Sequence, residues 1–242
     1  MQITHYSFKS PVNRPIRAAF VADTHDKPYE KIVKEMKSNN VDLIFVTGDI
    51  IYAHDDYVER AFNMLAEFVS IAPTYMSLGN HEGGAVPLVR TKCREIGVKL
   101  LEETYEEFEG IFIGGLTSGY IADSEGLEEN HWRKTPEPNI AWLKAFASIS
   151  GYKVLLNHHP EYYPEYIKNL DIDLVLSGHA HGGQCRLFGR GLFAPGQGLF
   201  PKYTSGIHDG RLIVSRGLAN NAPPIPRLFN SKELIFIDFH KE

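Results

Sequence analysis

Short apolar runs alternate with amphipathic stretches through most of the chain. In the amphipathic stretches, apolar side chains recur at helical spacing, most clearly over Val58–Val69 and Val86–Ile96 and more weakly over Ile32–Met36. This spacing predicts three helices, each with one buried face. The apolar runs are rich in β-branched residues and apolar at successive positions, which is typical of strands covered on both faces. They are Ile16–Ala22, Leu43–Thr47, Thr74–Leu78, Lys153–Leu156 and Leu174–Ser177.

The amino-acid composition changes after Gly182. Glycine and proline become frequent, and the apolar runs shorten to segments such as Leu212–Ser215 and Leu234–Asp238. We predict a single α/β domain over residues 1–242, in which residues 181–242 form a β-rich tail packed onto the same sandwich. Residues 118–139 are predicted to form a long polar loop.

Apolar run length and cysteine usage limit where the protein can work. The longest uninterrupted apolar run is the five residues 18–22, whereas a membrane span needs about 20 and a signal peptide about 7–15. Cys93 and Cys185 have no CxxC partner, which excludes a disulfide framework and indicates free thiols. Since Cys93 lies on the apolar face of a predicted helix, we expect it to be buried. These features predict a cytoplasmic protein without a membrane span.

The charge pattern bears on possible partners. The net charge of −5 at pH 7 gives no electrostatic reason to expect nucleic acid or an anionic membrane. Residues 101–130 carry nine acidic side chains and no Lys or Arg, which indicates a solvated face. Residues 182–232 carry seven Lys or Arg and one acidic residue, Asp209. There, Arg186, Arg190 or Arg216 could contact an anionic ligand, because a guanidinium matches phosphate oxygens.

Polar residues that can bind metal follow each of the five predicted strands. Because ligands of open α/β sheets bind at the carboxyl ends of the strands, we expect these residues to converge. Carboxylate, imidazole and amide groups without thiolate suit Mn, Fe or Zn and argue against a structural zinc site of the Cys type. The segments are Asp23-Thr24-His25, Gly48-Asp49, Gly79-Asn80-His81-Glu82, Asn157-His158-His159-Pro160 and Gly178-His179-Ala180-His181.

In this order the motifs read DxH, GD, GNH, a further His and GHxH, and this signature resembles that of the calcineurin-like metallophosphoesterases. Four further segments are similar to the bacterial YkuE-like branch of that family: Gly178–Gln184, Gly198–Tyr203, Ser215–Leu218 and Arg227–Asn230. The resemblance implies a four-layer α-β-β-α sandwich with a mixed sheet pair. It also implies a site for two divalent metal ions (Mn, Fe or Zn) at the carboxyl ends of the strands.

The resemblance also implies a division of the ligands between the two ions. Asp23, His25 and His181 would hold the first ion, and Asn80, His158 and His179 the second. Asp49 would bridge both, since a shared anion offsets the repulsion between two cations about 3.5–4 Å apart.

The implied activity is hydrolysis of a small phosphodiester or phosphomonoester by a metal-bridged hydroxide that attacks phosphorus in line. His81 would be catalytic and assist the leaving group. The candidate substrate contacts are Asn80 and, from the basic stretch, Arg186. His159 is expected to be structural. Two alternatives remain, a nuclease and a non-catalytic phosphate-binding scaffold on the same fold. The acidic stretch argues against a long nucleic-acid track, and the complete ligand set argues against the scaffold. The sequence specifies neither the substrate nor the oligomeric state.

Overall fold

The computed structural model of the protein describes residues 1–52, 58–122, 134–219 and 227–241. The helices are α1 (Glu30–Ser38), α2 (Val58–Ile71), α3 (Val86–Ile96), α4 (Gly119–Ala122) and α5 (Ile140–Ala147). The strands of the first half are β1 (Gln2–Ser10), β2 (Ile16–Val21), β3 (Leu43–Val46), β4 (Thr74–Met76), β5 (Lys99–Leu100), β6 (Thr104–Phe108) and β7 (Ile111–Leu116). Those of the second half are β8 (Tyr152–Asn157), β9 (Leu174–Ser177), β10 (Arg186–Leu187), β11 (Arg190–Gly191), β12 (Phe193–Ala194), β13 (Gly198–Leu199), β14 (Gly206–His208), β15 (Leu212–Val214) and β16 (Glu233–Lys241).

Twelve of the described strands form two six-stranded mixed sheets. The first has the order β1-β16-β2-β3-β4-β5 and the second the order β14-β15-β9-β8-β7-β6. In the first sheet, β2 to β5 run parallel and β16 pairs antiparallel with β2. In the second sheet, β7, β8, β9 and β15 run parallel, and antiparallel β6 and β14 form the edges. The carboxyl ends of the parallel strands therefore lie along one edge of each sheet.

Alternating side chains of the strands enter different layers, which explains why the runs are apolar at every position. In β2, Ala19 and Val21 pack with α1, α2 and α3, whereas Ala18 and Phe20 face the second sheet. In β8, Val154 and Leu156 face the first sheet, and the residue between them packs with α5. The predicted four-layer α-β-β-α sandwich with mixed sheets is confirmed.

The helix boundaries follow from local chemistry. α3 ends where Gly97 takes a φ of +93°, a left-handed conformation that glycine adopts without strain. α5 begins where the Asn139 side chain accepts a hydrogen bond from the backbone N–H of Trp142 at 3.0 Å. The predicted helices are observed, and α4 and α5 are additional ones.

The C-terminal tail contributes to both sheets. β16 lies between β1 and β2, and β15 lies beside β9. The small hairpins β10-β11 and β12-β13 extend from the segment after His181. The predicted loop 118–139 is in part helical, because residues 119–122 form α4. Residues 123–133 of that loop lie outside the described residues.

Both cysteines are free thiols in the structure. Cys93 is 1% exposed, as its helical position predicted. Burial raises the pKa of its thiol to about 12, so the group stays protonated and unreactive at neutral pH. Among the described residues, every helix is too short or too polar to cross a lipid bilayer.

Candidate metal centre

The loops that follow β2 and β3 are joined directly by backbone hydrogen bonds. The N–H of Asp23 donates to the carbonyl of Gly48 at 3.2 Å, and the N–H of His25 donates to the carbonyl of Asp49 at 3.1 Å. These bonds extend the β2-β3 pairing past the ends of the strands. They bring two of the predicted motifs to one place.

Five of the predicted ligand residues adopt left-handed backbone conformations. Their φ angles lie between 44° and 63°, in a region that costs an ordinary residue free energy and that Asp and His enter more readily than most. Such backbones cluster at functional sites, where surrounding contacts hold them. The five residues are Asp23, His25, Asp49, His179 and His181.

Two glycines allow the loops after β3 and β4 to touch. A Cβ on Gly48 would lie 2.1 Å from the backbone nitrogen of Gly79, and a Cβ on Gly79 would lie 2.2 Å from Oδ1 of Asp49. No side chain fits at either position. Close packing of the two loops thus explains why glycine precedes both Asp49 and Asn80.

The first cluster of candidate ligands joins the two sheets. Asp23, His25 and His181 each offer one ligand atom, and these atoms lie within 4.8 Å of one another. Nε2 of His181 lies 3.8 Å from Oδ1 of Asp23, and the two imidazole rings stack with centroids 5.3 Å apart. All three residues are buried. These are the three residues that the family resemblance assigns to the first metal ion.

The second cluster contains Asp49, His158 and His179, whose ligand atoms also lie within 4.8 Å of one another. Nδ1 of His158 lies 2.6 Å from the carbonyl oxygen of Thr47. Because that oxygen can only accept, Nδ1 carries a proton, and Nε2 is the nitrogen that faces the other members of the cluster. This Nε2 lies 3.1 Å from Oδ2 of Asp49.

Imidazoles from both clusters converge on one oxygen of Asp49. Nε2 of His25 and Nε2 of His81 each lie 3.9 Å from Oδ2 of Asp49, and His158 approaches the same atom. Nevertheless, Oδ2 accepts no hydrogen bond from the described residues, and neither ring nitrogen of His25 has such a partner among them. Several ligand atoms gathered without hydrogen bonds are typical of residues that share cations. The donor set therefore fits divalent metal ions.

Burial keeps most of the candidate histidines neutral. It lowers the pKa of His25 and of His179 well below the usual value and lowers that of His181 to about 3. Neutral imidazole is the form that binds a metal. For His158, burial also lowers the pKa, but the adjacent Asp49 carboxylate outweighs this effect and raises it to about 10. A cation beside Asp49 would compete with that proton.

The two aspartates respond differently to burial. Burial raises the pKa of Asp23 to about 7, although His158, the backbone N–H of His179 and Arg227 act in the opposite direction. Burial acts in the same direction on Asp49, but His158 and His81 outweigh it and hold that pKa well below the usual range. A divalent cation would stabilise both ionised carboxylates.

Glu82 supports the loop of Asp49, a role that the sequence analysis did not assign. Its carboxylate is 0% exposed and accepts backbone hydrogen bonds from Asp49 at 2.9 Å, Gly79 at 2.7 Å and Ile50 at 2.8 Å. Burial, and then the charge of Asp49, raises its pKa. The only sequence feature that could have indicated this role is the position of Glu82, an acidic residue at the end of the Gly79–Glu82 motif.

Asn80 and His81 follow the carboxyl end of β4. The backbone N–H of His81 donates to Oδ1 of Asp49 at 3.0 Å, and Asn80 beside it is 9% exposed. The His81 side chain is 19% exposed, and its ring stacks on Tyr52 with centroids 5.0 Å apart. His81 therefore lies at the rim, where an incoming ligand can meet it.

A hydrogen-bonded chain lies beside His179. Nε2 of His159 lies 2.7 Å from Oγ of Ser118, and its Nδ1 lies 3.2 Å from Oε1 of Glu161. The same oxygen of Glu161 lies 3.7 Å from Nε2 of His179. The fully buried His159 thus packs against a candidate ligand and lies outside the two clusters above, but its ligand atom lies within 4.8 Å of those of Glu161 and His179.

Arg186 is a predicted substrate contact, but its side chain forms hydrogen bonds within its own loop. Its guanidinium donates to the carbonyls of Gly182 at 2.8 Å and of Gly189, and to Oγ1 of Thr204 at 3.3 Å. These bonds favour a role in holding the segment after His181. Asn230, which the sequence analysis did not single out, supports the same segment by donating to the carbonyl of His181 at 2.7 Å.

Comparison with known proteins agrees with this geometry. The sequence profile of the calcineurin-like phosphoesterases matches residues 16–183, more than half of the chain. The chain belongs to the calcineurin-like phosphoesterase family.

Two bacterial relatives are both described as uncharacterised metallophosphoesterases. The protein of Campylobacter jejuni is 27% identical over 220 residues, which cover 88% of this chain and 54% of that protein. This chain thus spans about half the length of that relative. The protein of Aquifex aeolicus is 28% identical over 242 residues, with 95% of this chain and 87% of that protein covered.

Two solved structures share the fold. A dimetal phosphatase from Danio rerio superposes with a TM-score of 0.55 at 14% identity, with 88% of this chain and 90% of that chain covered. TT1561 of Thermus thermophilus superposes with a TM-score of 0.52 at 15% identity, with 67% of this chain and 81% of that one covered. At this identity the likeness shows the fold alone.

Proposed function

We propose that the protein is a phosphoester hydrolase that works with two divalent metal ions. The observation that supports this most directly is the convergence of His25, His81 and His158 on Oδ2 of Asp49, at 3.9, 3.9 and 3.1 Å. One carboxylate oxygen thus faces imidazoles of two separate candidate clusters. A bridging ligand between two cations has this placement.

The proposed ligands divide as the two clusters do. Asp23, His25 and His181 would hold one ion, while His158 and His179, with Asn80, would hold the other. Asp49 would be shared by both. When bound, the two ions supply positive charge that polarises the phosphoester and lowers the pKa of a water molecule. Mn, Fe and Zn suit this mixture of imidazole and carboxylate ligands.

The residues of the chain contribute orientation and charge. Thr47 fixes the tautomer of His158 through the contact at 2.6 Å, so that Nε2 faces the centre. Glu82 holds the loop of Asp49 through the backbone. Asn80 adds a neutral oxygen, which leaves the centre with net positive charge for a phosphoryl group.

His81 is the group proposed to assist the leaving oxygen. It lies at the rim of the centre, partly exposed and stacked on Tyr52, so its imidazole can reach an atom of the substrate. A histidine in this position donates a proton or a hydrogen bond to the departing oxygen. It does not need to hold an ion to do so.

The proposed substrate is a small phosphodiester or phosphomonoester. The nine acidic residues of 101–130 disfavour a long polyanion. Both cysteines are free, which supports a reducing compartment such as the cytoplasm.

The test is hydrolysis of bis-p-nitrophenyl phosphate and p-nitrophenyl phosphate by the purified chain. We expect activity to disappear with EDTA and to return with Mn²⁺, Zn²⁺ or Fe²⁺. A matched control is Cys185→Ser, which leaves every proposed ligand intact and should keep the rate. Full activity in excess EDTA, in protein that elemental analysis finds free of metal, would overturn the proposal.

A further inference from the structure

Three loop tips expose a leucine followed by a phenylalanine. They are Leu187–Phe188, Leu199–Phe200 and Leu228–Phe229. The phenylalanines are 96%, 76% and 86% exposed, and the leucines are 52%, 66% and 48% exposed, in that order. Full burial of side chains of this size is strongly favourable. Six large apolar side chains in water at three tips therefore need an explanation, which single surface leucines do not.

Each of the three phenylalanines also has an unfavourable backbone conformation. The φ angles of Phe188, Phe200 and Phe229 are 49°, 52° and 52°, a region in which bulky residues are outliers. Phe188 and Gly189, with a φ of +80°, form the two-residue turn of the β10-β11 hairpin, where Asn-Gly is the usual pair. The chain places an aromatic ring where a small residue would be relaxed. Such outliers point to function.

Backbone hydrogen bonds join the segments that carry the three tips. The N–H of Arg186, in β10, donates to the carbonyl of Leu228 at 2.9 Å. β10 pairs with β11 through Arg186 and Gly191. The N–H of Phe200 then donates to the carbonyl of Leu192, the residue after β11, at 2.9 Å. We call the six Leu and Phe side chains the Leu–Phe surface.

The surroundings of the Leu–Phe surface are basic. Arg190 lies opposite Leu187 in the hairpin, Lys202 follows Phe200 by two residues, and both are exposed. The single acidic residue of the stretch 182–232, Asp209, is paired with Lys168 at 2.8 Å. The net charge of the whole chain is −5, yet this face presents cations. The net charge of the whole chain therefore does not describe the charge of this face.

We propose that the Leu–Phe surface docks the protein onto an anionic phospholipid bilayer. Exposed aromatic and aliphatic side chains insert at the level of the headgroups, while neighbouring Lys and Arg side chains are attracted to anionic lipids. Separate tips that carry one ring each suit a deformable lipid layer. A second copy of the chain fits less well, because a two-fold interface would bring the same positively charged patch of both subunits together.

Docking is tested by sedimentation with sucrose-loaded vesicles of equal parts phosphatidylcholine and phosphatidylglycerol. The full chain is used in EDTA without substrate, so the result does not depend on the proposed hydrolysis. We expect vesicle-dependent sedimentation that weakens with phosphatidylcholine alone and with added salt. The double variant Phe188→Ser/Phe229→Ser should bind about 100-fold more weakly, since burial of each ring contributes about tenfold.

The matched control is a pair of single variants. Leu187→Ser removes a leucine from the Leu–Phe surface, and Leu88→Ser removes a similarly exposed leucine (41%) on α3. Only the first should weaken binding, while both should keep the thermal unfolding midpoint of the wild type. The proposal is overturned if the wild type does not sediment with the anionic vesicles, or if the double variant binds as the wild type does. Self-association that the double variant abolishes, without vesicle binding, would assign the surface to a second copy instead.

Discussion

The buried carboxylate of Glu82 accepts a hydrogen bond from the backbone N–H of Asp49, with an Oε2–N distance of 2.9 Å. The same oxygen accepts from Gly79 at 2.7 Å, so one side chain ties together the loops after β3 and β4. The side chain of Asp49 is thereby aimed without Glu82 entering either cluster of candidate ligands. Glu82 is a positioning residue of the candidate metal centre.

We predict that Glu82→Gln lowers metal affinity about 10- to 100-fold, the usual effect of losing a group that orients ligands. An amide keeps one acceptor oxygen but turns an NH₂ group toward backbone N–H donors. Isothermal titration with Mn²⁺ measures the effect. The control is Glu103→Gln, since Glu103 likewise accepts hydrogen bonds from a loop, at Thr117, but outside the centre. Equal affinities for all three proteins would show that Glu82 does not position Asp49.

A second prediction concerns the close approach of the loops at Gly48. Gly48→Ala places a Cβ 2.1 Å from the backbone nitrogen of Gly79, at a φ of +78°. We expect a loss of more than about 3 kcal/mol in the free energy of unfolding, because backbone must move. Gly189→Ala is the control, since it has a similar φ of +80° but no neighbour within 4 Å. It should cost only the conformational term of about 1–2 kcal/mol. Urea unfolding measures both, and similar losses would contradict the steric argument.

The predicted strands after which the ligands lie were confirmed, because buried parallel strands leave a strong pattern. The observed β2 and β3 end within one residue of the predicted runs Ile16–Ala22 and Leu43–Thr47. Fixed motifs at these ends also located the candidate centre. Both the apolar strand runs and the motifs are formed by residues that are close together in the sequence. One sequence is therefore enough to detect them.

Elements defined by distant partners were not predicted. β7 contains Gly114 and Gly115, which weaken a strand pattern. Their reason is tertiary, because a Cβ on Gly114 would lie 2.7 Å from the ring of Phe146, and one on Gly115 would lie 2.3 Å from the carbonyl of Leu101. β1 lies at a sheet edge and buries only Ser10 fully, so it lacks a continuous apolar run. The role of Glu82 likewise depends on a loop 33 residues away.

The third prediction isolates His81 as the group that assists the leaving oxygen. A p-nitrophenolate leaves with little help, whereas an alkoxide needs a proton. We therefore expect His81→Ala to lose little on nitrophenyl esters but about 10²–10⁴-fold on alkyl esters. Steady-state kinetics on both substrates measure the difference, and metal content is determined on the same preparations because Asn80 is adjacent. Equal losses at full metal content would mean that His81 only orients or charges the site.

In the proposed function, Asp49 would join two metal ions in one hydrolytic centre. The most direct measurement is the number of Mn²⁺ ions bound per chain, by equilibrium dialysis and elemental analysis, with the hydrolysis rate recorded at each occupancy. For the wild type we predict about two ions per chain and a rate that rises as the second ion binds. For Asp49→Asn we predict fewer than about two and a rate lowered by at least about 10²-fold, because both cations lose their shared anion. Full turnover with a single ion, or two ions and a normal rate in Asp49→Asn, would contradict the claim.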